Sequence, residues 1–259
     1  MEPGAEAAAT IPVYNKDMAV EVVWLGRMAY AAAWDLQKAL VTERNRAERP
    51  DRLLLLEHPP VYTLGRSGKL EHLLLDEAAR QAEGISVYEV DRGGDITYHG
   101  PGQLVAYPIL NLKRLFRARG FARPDLHRYL RDLEEVIIRA LASLDVAARR
   151  YEGYTGVWVE GAAELLKIAA IGVKVSSKGI SSHGFALNVD PNLDHFAGIV
   201  PCGIHEHGVA SLAQLLQRPL ATVDLVAPVM AAFGEVFQVE TTFVAPPVSA
   251  YNLPPTAWQ

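Results

Sequence analysis

The feature that most constrains the fold is a series of three strand-like segments in the second half of the chain. The segments are "GVWVE", "KIAAIGVKV" and "GFALNVD", and only turn residues separate them. A doubly wound parallel sheet alternates its strands with helices, and no helical segment lies between these strands. The sequence therefore predicts an α/β fold of the α+β type, in which helices pack on a mixed β-sheet.

Three longer segments have the features of helices. Their apolar residues recur at helical spacing or cover one face, which is typical of helices packed on a sheet. They span residues 27–48, 124–144 and 222–237. No linker interrupts the middle of the chain, so we expect a single catalytic domain over residues 18–240. Residues 1–17 are predicted to be a flexible N-terminal segment, and residues 241–259 a Pro-rich C-terminal tail.

Composition excludes several classes of protein. Half of the 259 residues are hydrophobic and 21% are charged, which is ordinary for a globular enzyme. The net charge of −5 argues against nucleic-acid binding. No uninterrupted apolar stretch approaches 18 residues, and the N-terminus lacks the pattern of a signal peptide. The single cysteine excludes an internal disulfide. We therefore expect a cytoplasmic protein without a membrane or nucleic-acid partner.

Within residues 91–109, "DRGGDITYHGPGQLVAYPI", the stretch from Arg92 to Gln103 is predicted to form a binding loop between two strands. A hairpin connection alone would explain the glycines, which allow close approach of the backbone. It would not explain why Arg, Thr, Tyr, His and Gln side chains crowd the same loop. The loop lacks a dinucleotide-binding fingerprint, because position 105 is Val and a strand follows. The nearby "GRSGKL", residues 65–70, is too short for a phosphate-binding P-loop and is interpreted as a turn.

Lys167 and Cys202 suggest a nucleophilic pair, although each has an ordinary structural interpretation. A strand lysine usually packs its stem and extends its ammonium group into water. A lone cysteine is usually a small buried residue. Together, however, an ammonium group near a thiol favours the nucleophilic thiolate and lowers the thiol pKa. The residues alone leave both interpretations open.

Two other kinds of function remain open at this point. Cys202, His205 and His207 form a C-x2-H-x-H pattern of three potential zinc ligands, as in a metal hydrolase. Three ligands this close in a turn-like segment wrap one ion poorly, so we predict no metal site. A non-enzymatic binding module, in which the glycine-rich loop holds a small acid or acyl group and the cysteine is inert, is the other alternative.

Five motifs together resemble one enzyme family. In chain order they are "EHPPVYTLGR", "RGGDITYHGPGQLVAYPI", "KIAAIGVKV", "SHGFALNVD" and "VPCGI". Over residues 20–215 the chain resembles the octanoyl-[acyl-carrier-protein]–protein octanoyltransferases, the lipoate-biosynthesis protein B family. The resemblance implies an α/β domain like the catalytic domains of biotin and lipoate protein ligases.

The resemblance also implies an activity, an acyltransferase reaction that begins protein lipoylation. The family transfers an octanoyl group from octanoyl-acyl-carrier protein to a lysine of lipoyl domains. The acceptors are lipoyl domains of 2-oxoacid dehydrogenase complexes and the glycine-cleavage H protein. The family requires no ATP, metal or other cofactor. ATP-dependent lipoate ligation, suggested by the fold relatives, is the alternative, but it needs no cysteine nucleophile.

Site residues follow from the same resemblance. The family's acyl-thioester nucleophile corresponds to Cys202, and the lysine that lowers the pKa of this thiol corresponds to Lys167. The residues that bind the acyl substrate correspond to three segments. These are Arg92, Gly93, Gly94, Asp95, Ile96, Thr97, Tyr98 and His99; Ala170, Ile171 and Gly172; and Gly184, Phe185 and Ala186.

Residues 113–131 form a basic segment with seven Lys or Arg residues and one Asp, hence a net charge of +6 (7 − 1). Such a segment is commonly a solvated helix face with a loop. It also has the charge expected of a docking patch for acidic carrier and lipoyl domains. The sequence leaves both interpretations open.

Overall fold

The computed structural model describes residues 15–46, 49–200 and 208–245. The strands in these ranges are β1 (Asn15–Arg27), β2 (Asp51–Glu57), β3 (Val61–Leu64), β4 (Ser86–Glu89), β5 (Ile96–His99), β6 (Gln103–Ile109), β7 (Arg149–Tyr151), β8 (Tyr154–Glu160), β9 (Leu165–Val175), β10 (Ser181–Asn188) and β11 (Val239–Val244). The helices are α1 (Tyr30–Asn45), α2 (Glu77–Ala82), α3 (Leu112–Ala118), α4 (Leu126–Ala142), α5 (Leu212–Leu216) and α6 (Val226–Phe237).

Eight strands form one mixed sheet in the order β11-β1-β2-β6-β10-β9-β8-β7. β1 is parallel to both β11 and β2, and the remaining neighbours are antiparallel. The three consecutive strand-like segments of the sequence are β8, β9 and β10, which pair as antiparallel neighbours. The predicted fold class, a mixed sheet packed with helices, is therefore confirmed.

Helices cover both faces of the large sheet, and β2 shows why its sequence is so apolar. Leu53 and Leu55 pack in the core beneath α4 and α6, whereas Leu54 and Leu56 pack in a second core beneath α1. Successive side chains of a strand point to opposite faces, so a strand between two cores needs apolar residues at every position. The run of four leucines in β2 satisfies this requirement.

A second, smaller sheet has the order β4-β3-β5 and corrects the interpretation of residues 92–103 as one loop. Residues 96–99 form β5, which pairs antiparallel with β3. Ile96 and Tyr98 are buried with Tyr62 and Leu64 in their own apolar cluster. Four residues between glycine-rich turns are too few to show a strand periodicity, so the sequence did not predict this element.

The ordered elements differ somewhat from the predicted ranges. β1 begins at Asn15 and β11 runs to Val244, so strands extend past both ends of the 18–240 range. α1 begins at Tyr30 rather than at residue 27, because β1 continues through Arg27. Within the described residues, no helix combines the length and apolar character needed to cross a bilayer.

Candidate active site

A cavity of about 550 Å³ lies where the two sheets meet, and its volume is typical of a small-molecule site. Among the residues predicted to bind the acyl substrate, only Tyr98 is missing from its wall, and Lys167 lines it too. The predicted residues on the wall are Arg92, Gly93, Gly94, Asp95, Ile96, Thr97, His99, Lys167, Ala170, Ile171, Gly172, Gly184, Phe185 and Ala186. Segments that are far apart in the sequence therefore surround one space.

Strand pairing brings the second and third predicted segments together. Ala170 is directly opposite Ala186, and Gly172 is opposite Gly184, in the β9–β10 ladder. A Cβ atom on Gly184 would lie only 2.1 Å from the carbonyl oxygen of Ala106, so this position must be glycine. Small residues at alternate positions leave room above the strands, which is the space that the cavity occupies.

Backbone contacts bring the first predicted segment against β9. The amide of Gly93 donates to the carbonyl of Val173 at 2.9 Å. The guanidinium group of Arg92 is buried. It donates hydrogen bonds to two oxygens of Thr63, the carbonyl oxygen at 2.7 Å and the hydroxyl oxygen at 2.9 Å. Arg92 thus holds the turn at Gly93 and Gly94 between the small sheet and β9.

Tyr98 lies apart from the rest of the predicted set. Its hydroxyl group is 2.7 Å from Nδ1 of His195, and its ring packs edge-on against Tyr62 and Phe196. Because side chains alternate along a strand, Tyr98 in β5 points into the apolar cluster while Thr97 and His99 line the cavity. The structure therefore places Tyr98 among packing residues.

Lys167 occupies a defined position in β9. Its backbone amide donates to the carbonyl of Gly208 at 2.9 Å, and its carbonyl accepts from the amide of Ala210 at 3.0 Å. Its Nζ atom is 5.1 Å from the centroid of the Trp158 ring, within cation–π range. Cys202, the other member of the predicted pair, lies outside the described residues.

Several cavity residues were missed by sequence reasoning. Tyr30 from α1, Ser67 from the turn after β3, and Leu126 from α4 all line the cavity. A hydrogen bond from the amide of Ser67 to the carbonyl of Gly94 holds the predicted turn at residues 65–70 against Gly94 in the cavity wall. Helix periodicity gave no signal for Tyr30 or Leu126, because a cavity wall and a packed core require the same apolar and aromatic residues.

His183 also lines the cavity, and its backbone conformation is uncommon for a residue other than glycine. Its φ angle is +54°, in the left-handed region, and its Nε2 atom is 2.8 Å from Oδ1 of Asp91. Burial lowers the pKa of His183, although the bond to Asp91 acts in the opposite direction. Burial would raise the pKa of Asp91, but hydrogen bonds from Lys174 and His183 outweigh it and lower the pKa to about 2.

No cluster of three or more potential metal ligands occurs in residues 15–46, 49–200 and 208–245. The pattern of Cys202, His205 and His207 lies outside the described residues. The expected absence of a metal therefore stays a prediction.

Solved structures identify the class of the fold. The chain is similar to a bipartite lipoate protein ligase from Thermoplasma acidophilum, with a TM-score of 0.69, 16% identity and coverage of 89% of this chain and 88% of the other. It is also similar to a lipoate-protein ligase A bound with ATP, with a TM-score of 0.66, 17% identity and coverage of 89% and 90%. The architecture is that of a lipoate protein ligase catalytic domain.

Sequence comparisons identify the family. Residues 29–234 match the lipoyl protein ligase A/B catalytic domain. An octanoyltransferase of Chloroflexus aurantiacus is 48% identical over 219 residues, covering 85% of this chain and 94% of the relative. One of Rubrobacter xylanophilus is 51% identical over 212 residues, covering 82% and 90%. The chain belongs to the octanoyltransferase family and is an acyltransferase related to lipoylation, as its motifs predicted.

Gly156 offers a test of how tightly Lys167 must be held. A Cβ atom on Gly156 would lie 2.7 Å from Cε of Lys167 and 2.6 Å from the carbonyl oxygen of Ala169, and the φ angle is +129°. We expect Gly156→Ala to displace the stem of Lys167, which is predicted to activate the thiol. It should reduce kcat/KM for octanoyl transfer by about 100-fold, an effect typical of misplacing a reacting group by about 1 Å. Steady-state transfer kinetics measure it.

Gly84→Ala is the matched control for this prediction. Gly84 also has a positive φ angle, +65°, but a Cβ atom added there would meet nothing within 4 Å. It should therefore show the stability cost of a left-handed alanine without a kinetic effect. Equal kcat/KM values in the two variants would show that the position of the Lys167 stem is unimportant.

Proposed function

We propose that this chain transfers an octanoyl group from octanoyl-acyl-carrier protein to a lysine of lipoyl domains, through an acyl-thioester on Cys202. The observation that carries the proposal is the convergence of three motif segments and Lys167 on one cavity of about 550 Å³. Family membership supports the same reaction. The segment with Cys202 joins Val200 to Gly208, and the carbonyl of Gly208 accepts the hydrogen bond from Lys167.

The first half of the reaction loads the enzyme. The Cys202 thiolate attacks the carbonyl carbon of the octanoyl thioester, so that a new C–S bond forms and the carrier's C–S bond breaks. The ammonium group of Lys167 favours the thiolate before attack and gives a proton to the departing carrier thiolate.

The second half unloads the enzyme. The neutral ε-amine of the acceptor lysine attacks the acyl carbon, a C–N bond forms, and the bond to the Cys202 sulfur breaks. The amine proton passes to Lys167, which restores its ammonium group and the Cys202 thiolate. Because a covalent intermediate separates the two halves, we expect ping-pong kinetics.

The partners proposed for this chain are acidic domains that carry or accept the acyl group. They include the acyl-carrier protein as donor and, as acceptors, lipoyl domains of 2-oxoacid dehydrogenase complexes and the glycine-cleavage H protein. We place the reaction in the cytoplasm, where a single cysteine stays reduced.

An assay with three arms tests the function. The first supplies octanoyl-acyl-carrier protein and apo-lipoyl domain without ATP, with and without a metal chelator, and we expect octanoylated lipoyl domain in both samples. The second supplies free octanoate with ATP, and the third free lipoate with ATP. Product only in the arms with ATP would contradict the proposal and support ligation, and loss of product caused by the chelator would support a metal enzyme.

The basic segment at residues 113–131 gives a further prediction. Arg117 and Arg123 are exposed, and Leu126, within the same segment, is exposed by 49% and lines the cavity. We expect the double change Arg117→Glu and Arg123→Glu to lower kcat/KM about tenfold at low salt and to flatten its salt dependence, because long-range attraction is screened by salt. Transfer rates measured across a salt series check this.

Lys38→Glu with Arg49→Glu is the control for charge. Both residues are exposed, they lie outside residues 113–131, and the double change alters the net charge by the same amount. An equal loss in the control would mean that net charge governs the rate. Unchanged kinetics in the Arg117 and Arg123 variant would leave the segment as solvated surface.

A further inference from the structure

Two polar side chains of the cavity wall have hydrogen-bonding roles that are set by the backbone. His99 and Tyr107 both line the cavity, and each is joined to a main-chain carbonyl through a chain of hydrogen bonds. A main-chain carbonyl can only accept a hydrogen bond. The direction of every bond in each chain can therefore be worked out from that end.

The first chain determines the tautomer of His99. The carbonyl of Ala210 accepts from Nδ2 of Asn188 at 3.0 Å, so Oδ1 of Asn188 accepts from Nε2 of Gln103 at 2.9 Å. Oε1 of Gln103 then faces Nδ1 of His99 at 2.8 Å, and Nδ1 must carry the proton. The remaining ring nitrogen of His99, Nε2, therefore has a lone pair and accepts.

The second chain determines the orientation of the Tyr107 hydroxyl group. The carbonyl of Met28 is 2.7 Å from Nδ1 of His58, which must donate to it. Nε2 of His58 is then an acceptor, and the hydroxyl of Tyr107 donates to it at 2.8 Å. The proton of this hydroxyl is thus used, and its oxygen has only lone pairs for a ligand in the cavity.

Neighbouring rings and burial hold His99 in this neutral state. Tyr30 stacks on His99 with an interplanar angle of 10° and a centroid distance of 6.2 Å, and the His58 ring is 5.9 Å away. Burial, followed by the proximity of His58, lowers the pKa of His99 to about 3. Burial likewise lowers the pKa of His58 to about 4. Both imidazoles therefore remain neutral at neutral pH.

We propose that Nε2 of His99 and Oη of Tyr107 form an acceptor-only subsite that binds the N–H of the incoming lysine ε-amine and directs its lone pair at the acyl group. The proposal rests on the proposed function and identifies where the second substrate's reacting group binds. His99 and Tyr107 act here as substrate-positioning residues, and Lys167 remains the group that takes the proton.

The charges near this subsite favour a neutral amine over an ammonium ion. The positive charge of the buried Arg92 guanidinium group is close enough to His99 to help lower the pKa of this histidine. The carboxylate of Asp91 is bonded to Lys174 and to His183, which reduces its attraction for a further cation. A site with acceptors and a nearby positive charge suits an uncharged N–H donor, and only the uncharged amine is a nucleophile.

An amide N–H in the thioester arm of the donor has the same hydrogen-bonding chemistry as the amine. The two sources act in different halves of the reaction, so half-reaction kinetics distinguish them. Loading is measured by mixing enzyme with octanoyl-acyl-carrier protein and following the octanoyl adduct by rapid quench and mass spectrometry. Unloading is measured by mixing isolated octanoyl-enzyme with increasing concentrations of apo-lipoyl domain.

We expect His99→Phe to slow unloading by about 100-fold and Tyr107→Phe by about tenfold. Loading should slow by a clearly smaller factor in both variants, because both side chains also line the cavity that holds the acyl chain. The Tyr107 change keeps the ring and removes one oxygen, so it serves as the second variant if His99→Phe disturbs Gln103. The maximal unloading rate should fall, and the acceptor concentration that gives half of this rate should rise, because the orientation of the amine is lost.

His195→Gln is the matched histidine control, since His195 contacts Tyr98 behind β5 and does not line the cavity. Its two half-reactions should equal those of the wild type. Slower loading with normal unloading in the His99 and Tyr107 variants would assign the subsite to the donor's amide and overturn the proposal. Equal losses in both halves would also overturn it. If wild-type enzyme forms no octanoyl adduct, the proposed function fails instead.

Discussion

Replacing Cys202 with serine is expected to reduce octanoyl transfer by at least about 10³-fold, a typical loss when a covalent nucleophile is removed. A serine hydroxyl is almost fully protonated at neutral pH, and a neighbouring ammonium group cannot ionise it as the proposal requires for the thiol. The measurement is the rate of apo-lipoyl domain octanoylation at saturating donor. Thermal unfolding of the variant shows whether the fold is intact.

Because the chain has a single cysteine, a thiol reagent provides a second test of the same claim. Alkylation of wild-type enzyme with iodoacetamide modifies no other thiol, so loss of transfer after labelling reports on Cys202 alone. Protection of the thiol by prior loading with octanoyl-acyl-carrier protein is also expected. A Cys202→Ser protein that transfers the octanoyl group at the wild-type rate would contradict the covalent mechanism.

Replacing Lys167 with methionine is expected to raise the pH at which Cys202 alkylation is half-maximal by about one to two units, because the proposed stabilisation of the thiolate by the Lys167 charge is lost. Methionine retains an unbranched stem that can lie beside Trp158 and Gly156. Transfer at neutral pH should fall by about 100-fold, since the variant also lacks the group proposed to exchange the proton. Alkylation rates across a pH series measure the shift.

Lys174→Met is the matched control for the lysine prediction. Lys174 lies on the same strand, but its ammonium group is bonded to Asp91. The alkylation profile of this variant should coincide with that of the wild type. A profile for the Lys167 variant that also coincides with the wild type would remove Lys167 from any role in thiol activation.

The residues predicted to line the site came from the family resemblance, and the structure explains two of them. A Cβ atom on Gly172 would lie 3.0 Å from Arg92 and Gly93, and one on Gly184 would lie 2.1 Å from the carbonyl oxygen of Ala106. Consecutive strands without helices between them predicted the antiparallel β8–β9–β10 unit. The succession of strands is local in the chain and leaves a visible pattern, whereas the contacts of the two glycines join distant segments.

The remaining parts depend on contacts between distant segments. Tyr107 resembles any other buried residue of a central strand, and its role depends on His58, 49 positions away. The tautomer of His99 depends on Asn188 and the carbonyl of Ala210, which the sequence cannot place beside it. Tyr98, by contrast, belongs to the motif but packs away from the cavity, because β5 alternates its side chains between two surroundings.

The covalent intermediate is the central claim, and intact-mass spectrometry tests it most directly. The enzyme is mixed with octanoyl-acyl-carrier protein, the adduct is located by peptide mapping, and apo-lipoyl domain is then added. We predict one octanoyl group on Cys202 that moves to the lipoyl-domain lysine during the chase. A folded enzyme that transfers octanoate without ever carrying it on Cys202, or that carries it on another residue, would contradict the claim.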